Sequence, residues 1–158
     1  MGIRKHLRLT VPVLVLAILL VAITMAARGN SGDCTKVYRN DEQVTISGKI
    51  FETEVANSPQ AMQKGLGERG CIGDNQAMLF NFGREGQYGI WMKDMKFSID
   101  VLWINKDKKI VAIEKNFSPE TYPENAVNEK DKPASYVLEV EAGTADELGL
   151  TLGTPVSF

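Results

Sequence analysis

The chain has 158 residues, within the range of one compact domain, with 44% hydrophobic and 24% charged residues and a formal net charge of −2. Its one histidine, His6, stands at the N-terminal tip, which excludes Ser-His-Asp and Cys-His catalytic arrangements from the rest of the chain. Two cysteines without a histidine cannot make a four-ligand zinc set, and no G-x-G-x-x-G or phosphate loop is present, so neither a metal nor a cofactor is expected.

Residues 1–29 differ in kind from the rest of the chain. Arg4, Lys5, His6 and Arg8 form a basic start, and an apolar run from Val11 to Ala27 comes next. This is the layout of a secretory signal, and the run is also near the lower length for a membrane-spanning anchor, ~17 residues. Both readings place the rest of the chain outside the plasma membrane, because the positive charge before the run stays in the cytoplasm. The remainder carries 14 basic against 20 acidic side chains, a net −6. That balance argues against nucleic acid or an anionic lipid surface as partner. In an oxidising compartment Cys34 and Cys71 either pair as a disulfide or stay as two thiols, with Cys71 in the core.

Residues 30–42 are polar and read as a linker, followed by one domain over 43–158. Two strand segments from Val44 to Val55 break at Gly48, and Ser58-Pro59 starts a short helix with Met62 and Leu66 on one face. Residues 77–82 form a short apolar strand, with GREGQYG as a loop. Strands are expected at 88–94, 99–105 and 109–115, with a turn at 95–98 and a tight connection at 106–108. Residues 116–133, with three prolines, read as a long irregular loop. A strand at 135–141, a helix opened by the capping box Thr144-Ala145-Asp146-Glu147, and a strand at 154–158 complete the chain. The expected class is mainly β (α+β), a compact β-sandwich or barrel-like domain with two short helices.

Charges interrupt this pattern. Strand side chains alternate between faces, and Lys93, Asp100 and Glu139 each fall among hydrophobic neighbours on strands taken to lie side by side. Two accounts stand open. The charges form buried ion pairs, such as Lys93 with Asp100 or Arg69 with Glu139. Alternatively they converge on an apolar pocket beside Trp91 and Trp103, in the way small-ligand sites are built.

The segments MQKGLGERGCI, AMLFNF, IWMKDMKFSIDVLWI and YVLEVEAG, with the closing GLTLGTPV, resemble the bacterial and archaeal family catalogued as domain of unknown function 192. The resemblance covers about residues 44–158. Met62, Gly65, Leu66, Arg69, Met78-Leu79-Phe80, Trp91-Met92-Lys93, Asp100, Leu138-Glu139 and Gly143 match in order and spacing. Ala77 stands where the family has glycine, Asp94-Met95 where it has Asn-Thr, and Ser98-Ile99 where it has Pro-Leu. The resemblance implies a compact β-sandwich or barrel-like domain behind a signal or anchor, and it brings no activity. It places Arg69, Trp91, Lys93, Asp100 and Glu139 in family motif segments.

The first functional expectation is therefore an exported domain that binds a small polar ligand or glycan. Its cleft would be formed by Arg69, Trp91, Met92, Lys93, Asp100 and Glu139, with tryptophan as a flat platform and the charges fixing orientation. The second is a hydrolase or lyase on cell-envelope polysaccharide, with Asp100 and Glu139 as the acid and base. The third is a structural domain that meets a protein partner through the 116–133 loop.

Overall fold

The computed structural model describes Cys34 and residues 39–158. The apolar run 11–27 and most of the 30–42 linker lie outside the described residues. The first elements among the described residues form a hairpin, β1 (Glu42–Ile46) and β2 (Lys49–Ala56), whose two-residue turn is Ser47-Gly48. Both turn residues have positive φ, 49° and 85°. That twist matches the right-handed twist of paired strands, so glycine at the second position lets the hairpin close without splaying.

Helix α1 (Pro59–Lys64) starts as expected. The Ser58 hydroxyl accepts the Ala61 N–H at 3.2 Å, and Pro59 fills a position whose N–H would have no partner. Strand β3 (Gln76–Gly86) is longer than the sequence suggested, because it continues past a register shift between Asn81 and Gly86 into the segment expected as a loop. Strands β5 (Ile99–Ile104), β6 (Ile110–Phe117) and β8 (Ala134–Glu141) form close to the expected places, with β5 buried at every position.

Two expectations need correction. The strand at 88–94 is only β4 (Gly89–Trp91), and it does not join the main sheet. It pairs antiparallel with β7 (Asn125–Val127), which lies inside the segment read as irregular. Helix α2 (Thr144–Glu147) has Gly143 at its cap with no side-chain cap bond, so Thr144 does not form the expected capping box. The Ala145 N–H in its first turn is served instead by a side chain of β5.

Seven strands run in the order β6-β5-β8-β3-β2-β1-β9, where β9 is Val156–Ser157. All neighbours are antiparallel except β2 and β3. The sheet curls until its ends meet. Ile110 N–H donates to the Thr154 carbonyl at 3.0 Å, and Val156 N–H to the Lys108 carbonyl at 2.8 Å. This contact covers the edge only at the start of β6, so the sheet forms a curled half-barrel.

Both faces of the curled sheet are buried. The inner face packs Val44, Ile46, Phe51, Leu79, Leu102, Ile104, Leu138 and Val140 with Leu150 and Val156. The outer face packs Met78, Phe80, Val101, Trp103 and Val137 under Leu66, Ile90 and Met92. A fully buried side chain of this size contributes ~1.5–3 kcal/mol by leaving water, so each face is a core in its own right. The Trp103 indole N–H donates to the Tyr88 carbonyl at 2.8 Å, which holds the β4 segment against the outer face.

A disulfide joins Cys34 to Cys71, with Cα atoms 5.4 Å apart. Among the described residues no helix is long and apolar enough to cross a membrane.

Candidate functional site

Strand register places four residues in one row on the outer face. Glu54 on β2 is opposite Met78 on β3, Met78 is opposite Glu139 on β8, and Glu139 is opposite Val101 on β5. Two carboxylates therefore flank a methionine beneath the turn that follows α1. Arg69, in that turn, meets Glu54 with both terminal guanidinium nitrogens, Nη1 and Nη2, at 2.6 and 3.1 Å. A bidentate pair of this geometry fixes the turn to the sheet and compensates the Glu54 charge. The Arg69–Glu139 pair suggested by the sequence gives way to Arg69–Glu54.

Glu139 is consequently left in apolar surroundings. The residue is 4% exposed, and its Oε2 is buried with no hydrogen-bond partner. Burial pushes its carboxyl up to about 8, although the Arg69 guanidinium pulls the other way. At neutral pH it is held mostly as the neutral acid, able both to donate and to accept. A buried polar atom without a partner is rare in a folded domain and calls for a reason.

Above Glu139 lies a cleft of about 380 Å³, walled by Met62, Leu66, Phe80, Phe82, Ile90 and Trp91. Glu139 forms part of its lining, and Gln63, Lys64, Lys93 and Asn125, all exposed, stand at its mouth. A second, more polar recess of about 350 Å³ adjoins it across Gln63, Lys64 and Lys93. Gly65 makes the depth possible. A Cβ there would lie 3.4 Å from the Phe80 ring and 3.8 Å from Glu139 Oε2, and its φ of 51° with ψ of −136° disfavours any side chain. Gly67 permits the second close approach. A Cβ there would lie 2.9 Å from the Lys64 carbonyl and 3.2 Å from that of Lys93, so the turn after α1 rests on the turn after β4.

The residues singled out from the sequence thus divide. Trp91, Lys93 and Glu139 line the cleft, with Trp91 40% exposed and the Lys93 ammonium 5.9 Å from its ring centroid. Met92, expected as a wall, is buried in the outer core, and Trp103 is likewise covered. Arg69 serves Glu54 and does not line the cleft.

Asp100 belongs elsewhere. It is opposite Val140, on the inner-face register, whereas Glu139 is opposite Val101 on the outer. Its Oδ1 accepts the Asn116 N–H at 2.8 Å and its Oδ2 accepts the Ala145 N–H at 2.7 Å. Asp100 therefore supplies the cap that α2 lacks locally and pins the irregular end of β6, where Asn116 has a φ of 52°. Asp100 and Glu139 sit on opposite faces of the sheet, so they cannot flank one glycosidic bond. The Lys93–Asp100 pair is absent for the same reason. Among the described residues no cluster of acidic, cysteine or histidine side chains is arranged to hold a metal ion.

Glu54, Met62, Gly65, Phe80 and Phe82 escaped the sequence reading as site residues. Glu54 had a signal, since it shares a strand face with the buried Ala56.

The model of the DUF192 family, described as "Uncharacterized ACR", matches residues 42–158. The chain belongs to the DUF192 family. Two solved structures are similar to this DUF192 chain. One is the crystal structure of "a putative transcription regulator" from Sinorhizobium meliloti 1021, 31% identical, with a TM-score of 0.67, covering 77% of this chain and 96% of the other. The second is a protein of unknown function from Novosphingobium aromaticivorans DSM 12444, 27% identical, with a TM-score of 0.66, covering 73% and 84%. No curated protein matches the chain.

Proposed function

We propose that this DUF192 domain is an extracytoplasmic binding module whose outer-face cleft takes a small polar ligand or glycan. The observation that carries this reading is the buried, partnerless Oε2 of Glu139 in the lining of that cleft. An apolar cavity with a few convergent polar groups is the usual form of a small-molecule site, and 380 Å³ lies within the ~300–1,000 Å³ such sites occupy. Trp91 offers an exposed aromatic face at the mouth, and Lys93 brings a cation beside it. The disulfide agrees with an oxidising compartment, and the basic-then-apolar N-terminus with export.

The test is calorimetric titration of the protein with a panel of mono- and oligosaccharides and small polar metabolites, beside Trp91→Ala and Glu139→Ala. A ligand whose affinity falls about tenfold or more in both variants, with their melting profiles intact, supports the cleft. Saturable binding that neither variant alters would place the site elsewhere and overturn the proposal.

A further inference from the structure

The two ends of the cleft differ in chemistry, and the difference selects a ligand class. This step rests on the cleft being a binding site. At its buried end the cleft offers one carboxyl group among hydrocarbon, with the Phe80 ring and Leu66 around it and Gly65 packed close over Oε2. The other polar side chains of the lining are exposed and therefore belong to the mouth.

Different ligand groups fare differently at that end. A bare polyol would bury several hydroxyls against hydrocarbon, each losing its water without a replacement partner. A cationic group would have to pass the Lys93 ammonium and would find the Arg69 charge already acting on Glu139. A secondary amide ending in a methyl group suits both surroundings. Its N–H and C=O complement a carboxyl group that can accept and donate, and its methyl faces the hydrocarbon wall.

The mouth adds the second requirement. Trp91 presents a flat apolar surface matched by one face of a pyranose ring, and the Lys93 ammonium lies within reach of an acidic substituent on such a ring. Lys64 is engaged by Glu68 at 3.0 Å, whereas Lys93 has no ion-pair partner among the described residues. We propose that the ligand is an N-acetylated amino sugar, with its acetamido group at the deep end of the cleft against the Glu139 side chain and its ring on Trp91.

The experiment is calorimetry on the full chain in lipid nanodiscs, with empty nanodiscs as the blank. The probes are an N-acetylglucosamine oligosaccharide, its de-acetylated counterpart, the glucose oligosaccharide of equal length and an N-acetylated peptide. The expected result is saturable binding of the acetylated sugar, weaker by about tenfold or more for both sugars lacking the acetyl group. Glu139→Gln, which keeps one donor and one acceptor in the same outline, is expected to retain affinity within about threefold, while Glu139→Ala loses about tenfold or more.

Equal binding of the acetylated and glucose oligosaccharides would overturn the acetamido seat and leave the cleft as a saccharide site. Binding of the acetylated peptide in place of the sugars would overturn the amino-sugar assignment. If none of the four binds while another ligand of the wider panel does, and Trp91→Ala and Glu139→Ala abolish it, this inference fails and the binding function stands.

Discussion

Asp100 and Glu139 look alike in the sequence, one carboxylate each in a hydrophobic strand, and the fold gives them opposite roles. Asp100 has both oxygens occupied by backbone N–H groups, so it is a structural acceptor. Asp100→Ala leaves two inward-facing N–H groups without a partner, at ~1–3 kcal/mol each, and should lower unfolding stability in urea by about 2–5 kcal/mol. Asn at that position keeps one acceptor and should lose about half as much. Glu139 behaves in the reverse sense. The charge acting on it is that of Arg69 in the turn after α1, which is paired with Glu54 on β2, and Lys64 and Lys93 are exposed at the cleft mouth. Its folded-state carboxyl is raised to about 8 from 4.5, so between those values the native state binds more protons than the unfolded chain. Stability from this group is therefore full below about pH 4.5 and is lost as the pH rises through about 8. Glu139→Gln removes that dependence. It should match the parent near pH 4.5 and exceed it by a few kcal/mol at pH 8.5, at about 1.4 kcal/mol per pH unit. Equal pH profiles for variant and parent would show that the buried carboxyl does not titrate this way. The sequence marked Glu139 as unusual, but it could not separate it from Asp100. The separation depends on which face each side chain takes and on N–H donors 16 and 45 residues away.

At the scale of elements, the cleft is made by a short helix and a turn laid over a sheet. Helix α1, its Ser58 cap and its end near Gly65 were legible from Ser-Pro and the glycines, because these are local rules of backbone geometry. Strands β5 and β8 were legible from their runs of apolar and β-branched residues. The β4–β7 pair was not, because three-residue strands carry too little pattern, and their partnership joins residues 34 to 38 positions apart. The unseen pair has consequences for the site, since it carries Trp91 and Asn125 to the cleft mouth. Gly65 is the residue through which the turn controls cleft depth. Gly65→Ala must adopt a backbone conformation that side chains disfavour, with its methyl in van der Waals contact with the Phe80 ring, so a loss of ~1–3 kcal/mol is expected in denaturant unfolding. Any ligand of the cleft should weaken in the same variant by more than the stability loss accounts for, because the added methyl occupies space above Glu139 Oε2. Affinity unchanged in a folded Gly65→Ala protein would place the ligand outside this cleft.

For the whole molecule, a curled sheet with a core on each face leaves its outer cover as the adjustable part. The curled sheet is cross-linked by its ladders and by the bridge between Lys109 and Pro155, whereas α1 and the 65–70 turn lie over it through Leu66, the Arg69–Glu54 pair and the backbone contact between Glu68 N–H and the Asp94 carbonyl at 2.8 Å. The Cys34–Cys71 bond attaches immediately after that turn and spans 37 positions. Closing a loop of that length restricts the unfolded chain by about 3–4 kcal/mol in the chain-entropy account. Most of that effect acts on the unfolded state, so the curled sheet should survive without the bond. The double variant Cys34→Ser, Cys71→Ser is expected to keep the β-rich circular dichroism spectrum while its urea midpoint falls by an amount corresponding to about 3–4 kcal/mol. Hydrogen exchange would locate the remainder of the effect. Amides of β5 and β8 should lose protection only in step with global stability, whereas those of the 65–70 turn should lose more, because the bond also restrains the folded turn. Uniform loss across both regions would mean that the cover and the sheet open as one unit, and the cleft would then be as rigid as the core beneath it.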